Sequence, residues 1–269
     1  MKTGVSTASL FMRVNNERAL GALNRLGVTK AEVFLTSFSE YSEEFARQML
    51  TDKGNVEVFS VHVLNSQIEP QLFSEHERVL SDSYFWLGKA MEAARVLGAS
   101  HYTFHGTARF KKSSRDPRND RFPRIGKRLK EIYDFCQGFG VTLCLENVEW
   151  SIYNRPEVFS KMLPFVPNLK GVLDIKQARI SGYDYREYLE EMGGRIACVH
   201  ISDLDERGKM CLPGRGAFDF DTLVKRLQGV GFDGNLFIEA YKDDFSAEDE
   251  LRASVEYVDE ILYKNNCLR

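Results

Sequence analysis

Short apolar runs rich in β-branched and aromatic residues alternate along the chain with longer amphipathic stretches. Eight of these runs have the length and composition of β-strands. They are TGVSTAS from Thr3, AEVFLTS from Ala31, EVFSVHVL from Glu57, HYTFHGT from His101, VTLCLENV from Val141, KGVLDIKQA from Lys170, IACVHISD from Ile196 and NLFIEAY from Asn235. Their starts lie 26 to 44 residues apart, which leaves room for a helix between successive strands. The alternation therefore predicts a parallel sheet with crossover helices.

The stretches between the runs carry helix signals. Ser74 and Glu77 have the spacing of a capping box ahead of a long helix. Glycines follow four of the predicted helices just before the next strand, at Gly27, Gly98, Gly140 and Gly231. Eight βα units in 269 residues predict one domain over residues 1–269, an α/β fold of the (β/α)8 TIM-barrel type. A doubly wound open sheet is the alternative, but no G-x-G-x-x-G motif follows the first run.

The composition narrows the class of protein further. With 43% hydrophobic and 28% charged residues and a net charge of −3, the chain is neither disordered nor attracted as a whole to nucleic acid or anionic membranes. The five cysteines are odd in number and lack C-x-x-C spacing, so we expect no structural disulfide. No apolar run has the length of a membrane span or of a signal peptide, which leads us to expect a cytoplasmic protein without a membrane partner.

The last six predicted strands each finish with a His, Glu or Asp. The six residues are His62, His105, Glu146, Asp174, His200 and Glu239. In a TIM barrel these strand ends converge on one face, where the loops build the active site. A buried ring of carboxylates and imidazoles needs compensation for its desolvation, and a divalent cation supplies it. Mixed ligands of this kind suit Mn, Mg, Co, Fe or Zn, so we expect one divalent metal ion, and its identity stays open.

Several motifs occur in a fixed order along nearly the whole chain: SVHVL, YTFHG, LCLENVEW, GVLDIKQA, VHISD, LPGRGAFDF and LFIEAY. ENV on the fifth strand, D-x-x-Q on the sixth, H-x-x-D on the seventh and P-G-x-G-x-x-D beyond it form a specific combination. In these motifs the chain resembles the xylose isomerase-like TIM-barrel superfamily. That superfamily contains sugar and sugar-phosphate isomerases and epimerases, together with the apurinic-site endonucleases.

The resemblance implies a metal-dependent isomerase or epimerase of a small-molecule sugar or sugar phosphate. Carried over by position, the metal ligands are Glu146, Asp174, His200 and Glu239, and the two glutamates are also the catalytic acid and base. This chemistry is reasonable because a metal that chelates a carbonyl and a neighbouring hydroxyl stabilises a cis-enediolate. Carboxylates on opposite faces of the substrate can then remove and return the carbon-bound proton.

The endonuclease branch requires three zinc ions and more histidines than this chain has at the matching positions. Gln177 stands where the endonucleases have a histidine, and Gly208 and Met210 stand where an Asp and a His are expected. We therefore do not expect nucleic acid to be the substrate. Many epimerases also have a histidine at the position of Gln177, so the substrate contacts differ here, although an amide can still bond to a hydroxyl.

Six further side chains are candidates for contact with the substrate. They are His62, His105, Gln177, Lys176, Arg215 and Trp150. Lys176 points into the site only if the sixth strand continues regularly past Asp174, because alternate residues of a strand share a face. Arg215 either binds an anionic group or pairs with Asp219.

Residues 109–130 carry ten Lys or Arg against two Asp, a local net charge of +8. This segment either captures a phosphate at the mouth of the barrel or is a solvated loop followed by a basic helix face. Two other functions stay open: a dehydratase of a polyol ketone, which uses the same enolate chemistry, and a metal-free barrel that binds a carbohydrate without turning it over. Related barrels often pair through their helices, so a homodimer is the preferred oligomer.

Overall fold

The computed structural model describes residues 1–64, 68–109 and 121–268. Eight parallel strands form a closed barrel. In chain order the strands are β1 (Lys2–Ser6), β2 (Lys30–Leu35), β3 (Glu57–Val63), β4 (His101–Phe104), β5 (Thr142–Glu146), β6 (Lys170–Asp174), β7 (Ile196–Ile201), a two-stranded antiparallel ribbon of β8 (Asp203–Leu204) and β9 (Met210–Cys211), and β10 (Asn235–Ile238). The barrel strands are the eight predicted runs, so the predicted (β/α)8 TIM barrel is confirmed.

Around the barrel, β1 to β7 follow the order of the chain and β10 closes the circle between β7 and β1. The register of these pairings aligns the strand ends. Asp174 of β6 pairs with His200 of β7, and Val5 of β1 pairs with Ile238 of β10. Neighbouring strands therefore present their last residues at one level on the carboxyl-terminal face.

Helices surround the barrel and bury their apolar faces against it. Those of the described residues are α1 (Ala19–Arg25), α2 (Glu43–Leu50), α3 (Glu77–Leu97), α4 (Phe122–Gln137), α5 (Val158–Met162), α6 (Ile175–Ile180), α7 (Tyr185–Met192), α8 (Phe220–Gly229) and α9 (Asp249–Lys264). A large cluster of buried aliphatic and aromatic residues lies between these helices and the strands. Among the helices in the described part of the chain, none combines the length and the apolar content needed to cross a membrane.

The two ends of α3 test the helix start and helix end that the sequence predicts. The predicted capping box of Ser74 and Glu77 is wrong, because the helix begins at Glu77 with His76 as its N-cap, and the Ser74 hydroxyl instead accepts a hydrogen bond of 3.1 Å from the His76 N–H. At the other end Gly98 adopts a φ of 78°, a left-handed conformation that costs a glycine little. The other predicted helix-ending glycines, Gly27, Gly140 and Gly231, also have positive φ.

An apolar cluster fills the barrel beneath the strand ends on one side. Its members are Cys144 of β5, Val172 of β6, Cys198 of β7 and Phe237 of β10. Each stands two residues before the Glu, Asp or His at the end of its strand, and the twofold period of a strand turns both side chains inward. Gly4 of β1 makes room for the Phe237 ring, since a Cβ at Gly4 would lie 2.6 Å from it. The four expected metal ligands therefore stand directly above an apolar layer, which we call the apolar floor.

On the opposite side of the barrel, the layer beneath the strand ends is polar. Ser60 of β3 and Thr103 of β4 stand two residues before His62 and His105. Both hydroxyls donate to the same carboxylate oxygen, Oε2 of Glu32 on β2, at 2.6 Å. Glu32, Ser60 and Thr103 are fully buried. One side of the barrel interior therefore holds a carboxylate where the other side holds aromatic, aliphatic and thiol groups.

Candidate active site

The strand-end residues His62, His105, Glu146, Asp174 and His200 are all buried, and Glu239 exposes 11% of its side chain. The fold brings the six together on the carboxyl-terminal face of the barrel. Ring nitrogen Nδ1 of His200 lies 2.8 Å from Oε1 of Glu146 and 3.1 Å from Oε2 of Glu239. Ligand atoms of Glu146, Asp174 and His200 all lie within 4.8 Å of one another. Residues separated by tens of positions in the chain thus form one polar cluster.

Glu146 lies between two imidazoles. Its Oε1 contacts His200, and its Oε2 lies 3.1 Å from Nε2 of His105. Burial alone would raise the pKa of Glu146, but His200 and His105 outweigh burial and hold this pKa well below its usual range. Glu146 is therefore an ionised carboxylate in a low-dielectric site.

Asp174 is both the last residue of β6 and the N-cap of α6. Its Oδ1 accepts a hydrogen bond of 2.8 Å from the Gln177 N–H, and the side chain of Asn147 bonds to both backbone polar groups of Asp174 at 2.8 Å. Burial raises the pKa of Asp174 to about 7, with Lys176 opposing this change and Glu146 adding to it. The strand-to-helix junction therefore fixes the backbone and one oxygen of Asp174 and leaves Oδ2 toward the cluster.

Lys176 does enter the site, but not because a strand continues past Asp174. The chain turns into α6 at Ile175, and the side chain of Lys176 is 3% exposed. Its Nζ lies 3.6 Å from Oε1 of Glu239, 4.0 Å from Oδ2 of Asp174 and 4.2 Å from the centre of the Tyr241 ring. Burial would lower the pKa of Lys176, but the two carboxylates outweigh burial and raise this pKa. The site therefore contains a buried ammonium group.

Two buried carboxylates of the site do not stand at predicted strand ends. Oε1 of Glu32 lies 2.9 Å from Nε2 of His200 and 3.8 Å from Nε2 of His62. Burial would raise the pKa of Glu32, but His200 and His62 lower it to about 2. Oε2 of Glu69, in the loop after β3, accepts one hydrogen bond of 2.9 Å from the backbone N–H of His105 and lies 2.9 Å from its Nδ1. Glu32 thus faces His200 closely and His62 at a longer distance, whereas Glu69 contacts His105.

His62 and His105 differ in their surroundings. Burial lowers the pKa of His62, whose two ring nitrogens have no hydrogen-bond partner within the described residues. Burial would also lower the pKa of His105, but Glu69 and Glu146 outweigh it and raise this pKa well above the usual value. His62 is accordingly a neutral imidazole with both polar atoms free for a ligand.

The remaining expected substrate contacts divide into two groups. The Trp150 ring centre lies 6.2 Å from that of His105, so Trp150 adjoins the cluster. The Gln177 N–H donates to Asp174, which places Gln177 beside the cluster, but its Oε1 already accepts a hydrogen bond of 3.2 Å from the Glu149 N–H. Arg215 is 58% exposed and pairs with Glu250 at 3.4 Å, not with Asp219. No contact in the described residues joins Arg215 to the cluster. Of the basic segment 109–130, residues 110–120 lie outside the described residues.

The donor set of the cluster fits a divalent metal ion. Ligand atoms of Glu146, Asp174 and His200 lie within 4.8 Å of one another, and Glu239 joins them through its 3.1 Å approach to His200. Three carboxylates and one imidazole form a mixture that suits hard and borderline divalent cations. Oε2 of Glu239 is buried and makes no hydrogen bond within the described residues. A cation at this position compensates the desolvation of the carboxylates.

A cleft of about 470 Å³ opens beside Lys176, between α6 and the ribbon. Lys176 belongs both to its wall and to the cluster, and the rest of its lining includes Ile180, Ser202, Met210 and Phe218. This volume is in the range of small-molecule sites. A ligand at the cluster therefore has space for a further part of its structure along α6.

Residues 20–261 match the family described as xylose isomerase-like TIM barrel. The chain belongs to this family. The resemblance read from the motifs is thereby confirmed for 242 of the 269 residues.

This xylose isomerase-like barrel is similar to three individual proteins in sequence or in structure. It is 25% identical over 157 residues to an inosose dehydratase of Geobacillus kaustophilus (strain HTA426), an alignment that covers 50% of this chain and 51% of that protein. This chain thus spans about half the length of that relative. A crystal structure of a D-tagatose 3-epimerase-like protein has a TM-score of 0.79 at 22% identity and covers 99% of this chain and 98% of its own. The IOLI protein, whose structure holds a zinc atom, has a TM-score of 0.71 at 18% identity, with 98% and 97% covered.

Proposed function

We propose that the protein is a divalent-metal-dependent isomerase or epimerase of a sugar or sugar phosphate that acts through a cis-enediolate. The observation that carries the proposal is that Glu146 and Glu239, which stand at the ends of strands on either side of β7 in the barrel, lie 2.8 and 3.1 Å from the same His200 nitrogen. Two carboxylates that reach one centre from different strands are suited to exchange a proton with opposite faces of a substrate carbon.

Glu146, Asp174, His200 and Glu239 would hold the metal ion. When bound, such an ion polarises a carbonyl oxygen and stabilises the negative charge that develops on it. Manganese, magnesium, cobalt, iron and zinc all suit these ligands.

The side chains of this chain would supply the proton transfer and the orientation of the substrate. One of Glu146 and Glu239 accepts the carbon-bound proton as a carboxylate, and the other, starting as the protonated acid, donates its proton on the opposite face. Proton exchange with solvent then restores both groups. The Lys176 ammonium, which has no hydrogen-bond partner within the described residues, donates to a substrate oxygen. His62 has two free ring nitrogens for hydroxyl groups, and Trp150 supplies an aromatic face beside His105.

A dehydratase is the second candidate, and the position of Lys176 favours it. The Lys176 Nζ lies 3.6 Å from Glu239, so one group can take a proton from carbon while its neighbour donates one to a departing hydroxyl. The relative named inosose dehydratase supports the same candidate. Cleavage of abasic DNA is not expected, because Gln177, Gly208 and Met210 replace three metal ligands of the endonucleases.

The first test is the metal content of the purified protein beside an Asp174→Asn variant prepared in the same way. We expect about one divalent ion per chain in the wild type and a loss in the variant, because Asp174 is one of the four ligands. A result of two or three zinc ions would instead require assays with phosphodiesters.

The second test is proton exchange, measured by NMR in D₂O with ketoses, ketose phosphates and cyclic polyol ketones. Deuterium entering a substrate carbon with an epimeric or isomeric product supports the proposed reaction. Loss of water from the substrate supports the dehydratase. Binding of a sugar without either change, in metal-loaded protein, would reduce the protein to a carbohydrate-binding barrel.

A further inference from the structure

Glu32 is a buried carboxylate to which neither the proposed proton transfer nor the proposed metal ligands assign a task. It lies on β2, in the polar part of the layer beneath the strand ends, and has no exposed surface. A buried charge of this kind is unfavourable unless hydrogen bonds and an opposite charge compensate it. The contacts of Glu32 therefore indicate what the carboxylate is for.

The two oxygens of Glu32 have separate partners. Oε2 accepts hydrogen bonds of 2.6 Å from both Ser60 and Thr103. Oε1 receives no hydroxyl and lies 2.9 Å from Nε2 of His200, and neither of these two buried atoms makes a hydrogen bond within the described residues. Because Ser60 and Thr103 belong to two neighbouring strands, their hydroxyls hold the carboxylate plane from two directions. Oε1 is consequently fixed toward His200.

We propose that Glu32 is a positioning residue that keeps the proton of His200 on Nε2, so that Nδ1 faces Glu146 and Glu239 as a metal ligand. The reason is that Nδ1 faces Glu146 and Glu239, with which it would share the metal ion, whereas Glu32 lies outside the proposed ligand set. An ionised carboxylate only accepts hydrogen bonds, so in the metal-bound form the ring hydrogen would stand on Nε2 and be donated to Glu32. Ligating histidines commonly donate their second ring N–H to a carboxylate in this way, which sets the tautomer and raises the basicity of the ligand. The inference rests on the proposed function, since it takes His200 as a metal ligand.

Glu69 offers a matched control within the same site. It is as buried as Glu32 and contacts one imidazole, Nδ1 of His105 at 2.9 Å. Its other oxygen accepts a hydrogen bond of 2.7 Å from Tyr102. His105, however, lies outside the four proposed ligands. Exchanging Glu69 for glutamine removes the same charge at the same depth without touching His200.

The experiment compares the binding of Zn²⁺ to the wild type, Glu32→Gln and Glu69→Gln by competition with a fluorescent chelator, in the absence of substrate. Loss of a carboxylate behind a ligating histidine typically weakens metal binding about 10–100-fold. We expect that loss in Glu32→Gln and a change below about threefold in Glu69→Gln. Circular dichroism establishes that each variant is folded before titration. If Glu32→Gln does not fold, Thr103→Val replaces it, and we expect a smaller loss because one hydroxyl still holds Glu32.

A second readout reports the tautomer itself. The ¹⁵N shifts of the His200 ring in zinc-loaded wild type should show a protonated Nε2, and this signature should be lost or mixed in Glu32→Gln. Unchanged zinc affinity in Glu32→Gln, or equal losses in both glutamine variants, would overturn the role of Glu32. Failure of the wild type to bind zinc, manganese or cobalt would instead overturn the proposed function and the inference with it.

Discussion

Substitution of Gly4 by alanine tests whether the apolar floor closes the barrel as tightly as its contacts indicate. A Cβ at Gly4 would lie 2.6 Å from the Phe237 ring and 2.7 Å from the backbone oxygen of Lys30. The backbone oxygen belongs to a barrel strand, and the ring is buried against Cys144, Val172 and Cys198. Neither neighbour can yield by a simple rotamer change, so the substitution overpacks the barrel.

Overpacking a close-packed core typically costs about 1–3 kcal/mol. Because two of the contacts are well below van der Waals distance, we expect Gly4→Ala to lower the free energy of unfolding by about 2–3 kcal/mol. For a domain of this size each kcal/mol corresponds to about 2–4 °C in melting temperature. Urea unfolding followed by circular dichroism measures the change, with an unchanged m-value as the sign that stability alone has altered.

Gly229 at the end of α8 provides the control, because a Cβ there would have no atom within 4 Å. Gly229→Ala should leave stability unchanged or raise it by up to about 1 kcal/mol. In the double variant Gly4→Ala/Phe237→Leu the smaller side chain should relieve part of the clash, with a coupling energy of at least about 1 kcal/mol. A cost below about 0.5 kcal/mol for Gly4→Ala, or strict additivity in the double variant, would refute the tight packing of Gly4 against Phe237.

Three further predictions concern the site. Lys176→Met should keep the metal yet slow deuterium exchange into the substrate by about 100-fold or more, because an acid or hydrogen-bond donor is lost; an unchanged rate would remove Lys176 from the reaction. Tyr102→Phe should lower the free energy of unfolding by about 1–3 kcal/mol in urea titrations, because it leaves a buried oxygen of Glu69 without its donor; a neutral result would mean that water replaces the hydroxyl. Arg215→Ala should change stability by less than about 1 kcal/mol and leave KM unaltered, since its partner is the surface residue Glu250; a large rise in KM would make Arg215 a substrate contact after all.

The strand ends were predictable from sequence because barrel geometry leaves little freedom there. Once eight βα units are recognised, the last residue of each strand must lie on one face. His200 and Glu146 illustrate this, since 54 residues separate them and yet their side-chain atoms lie 2.8 Å apart. The motifs around these residues indicated the family, and the resemblance to the family implied which residues are the metal ligands.

Other parts of the site depend on contacts that periodicity does not reveal. Glu32 stands inside the apolar run AEVFLTS, and a lone carboxylate in such a run was a signal that it needed buried partners. Glu69 has no comparable signal, because a loop carries it to His105. Lys176 lies in the site because α6 begins directly after Asp174. Arg215 pairs with Glu250 on the surface and does not contact the cluster. Loop paths and strand-to-helix junctions depend on tertiary packing, which no pattern of apolar residues records.

The spacing of two residues between the floor and the strand ends separates the stability of the barrel from its chemistry. Cys198 below and His200 above belong to one strand and one face, about 6.6 Å apart along it. Under the proposed function, a mutation at an upper position can therefore alter the chemistry while the lower residue still closes the barrel. With this layout, most variants at the upper positions should still fold. If the proposed function holds, the same property makes the upper positions the natural choice for a mutational library that seeks altered sugar specificity.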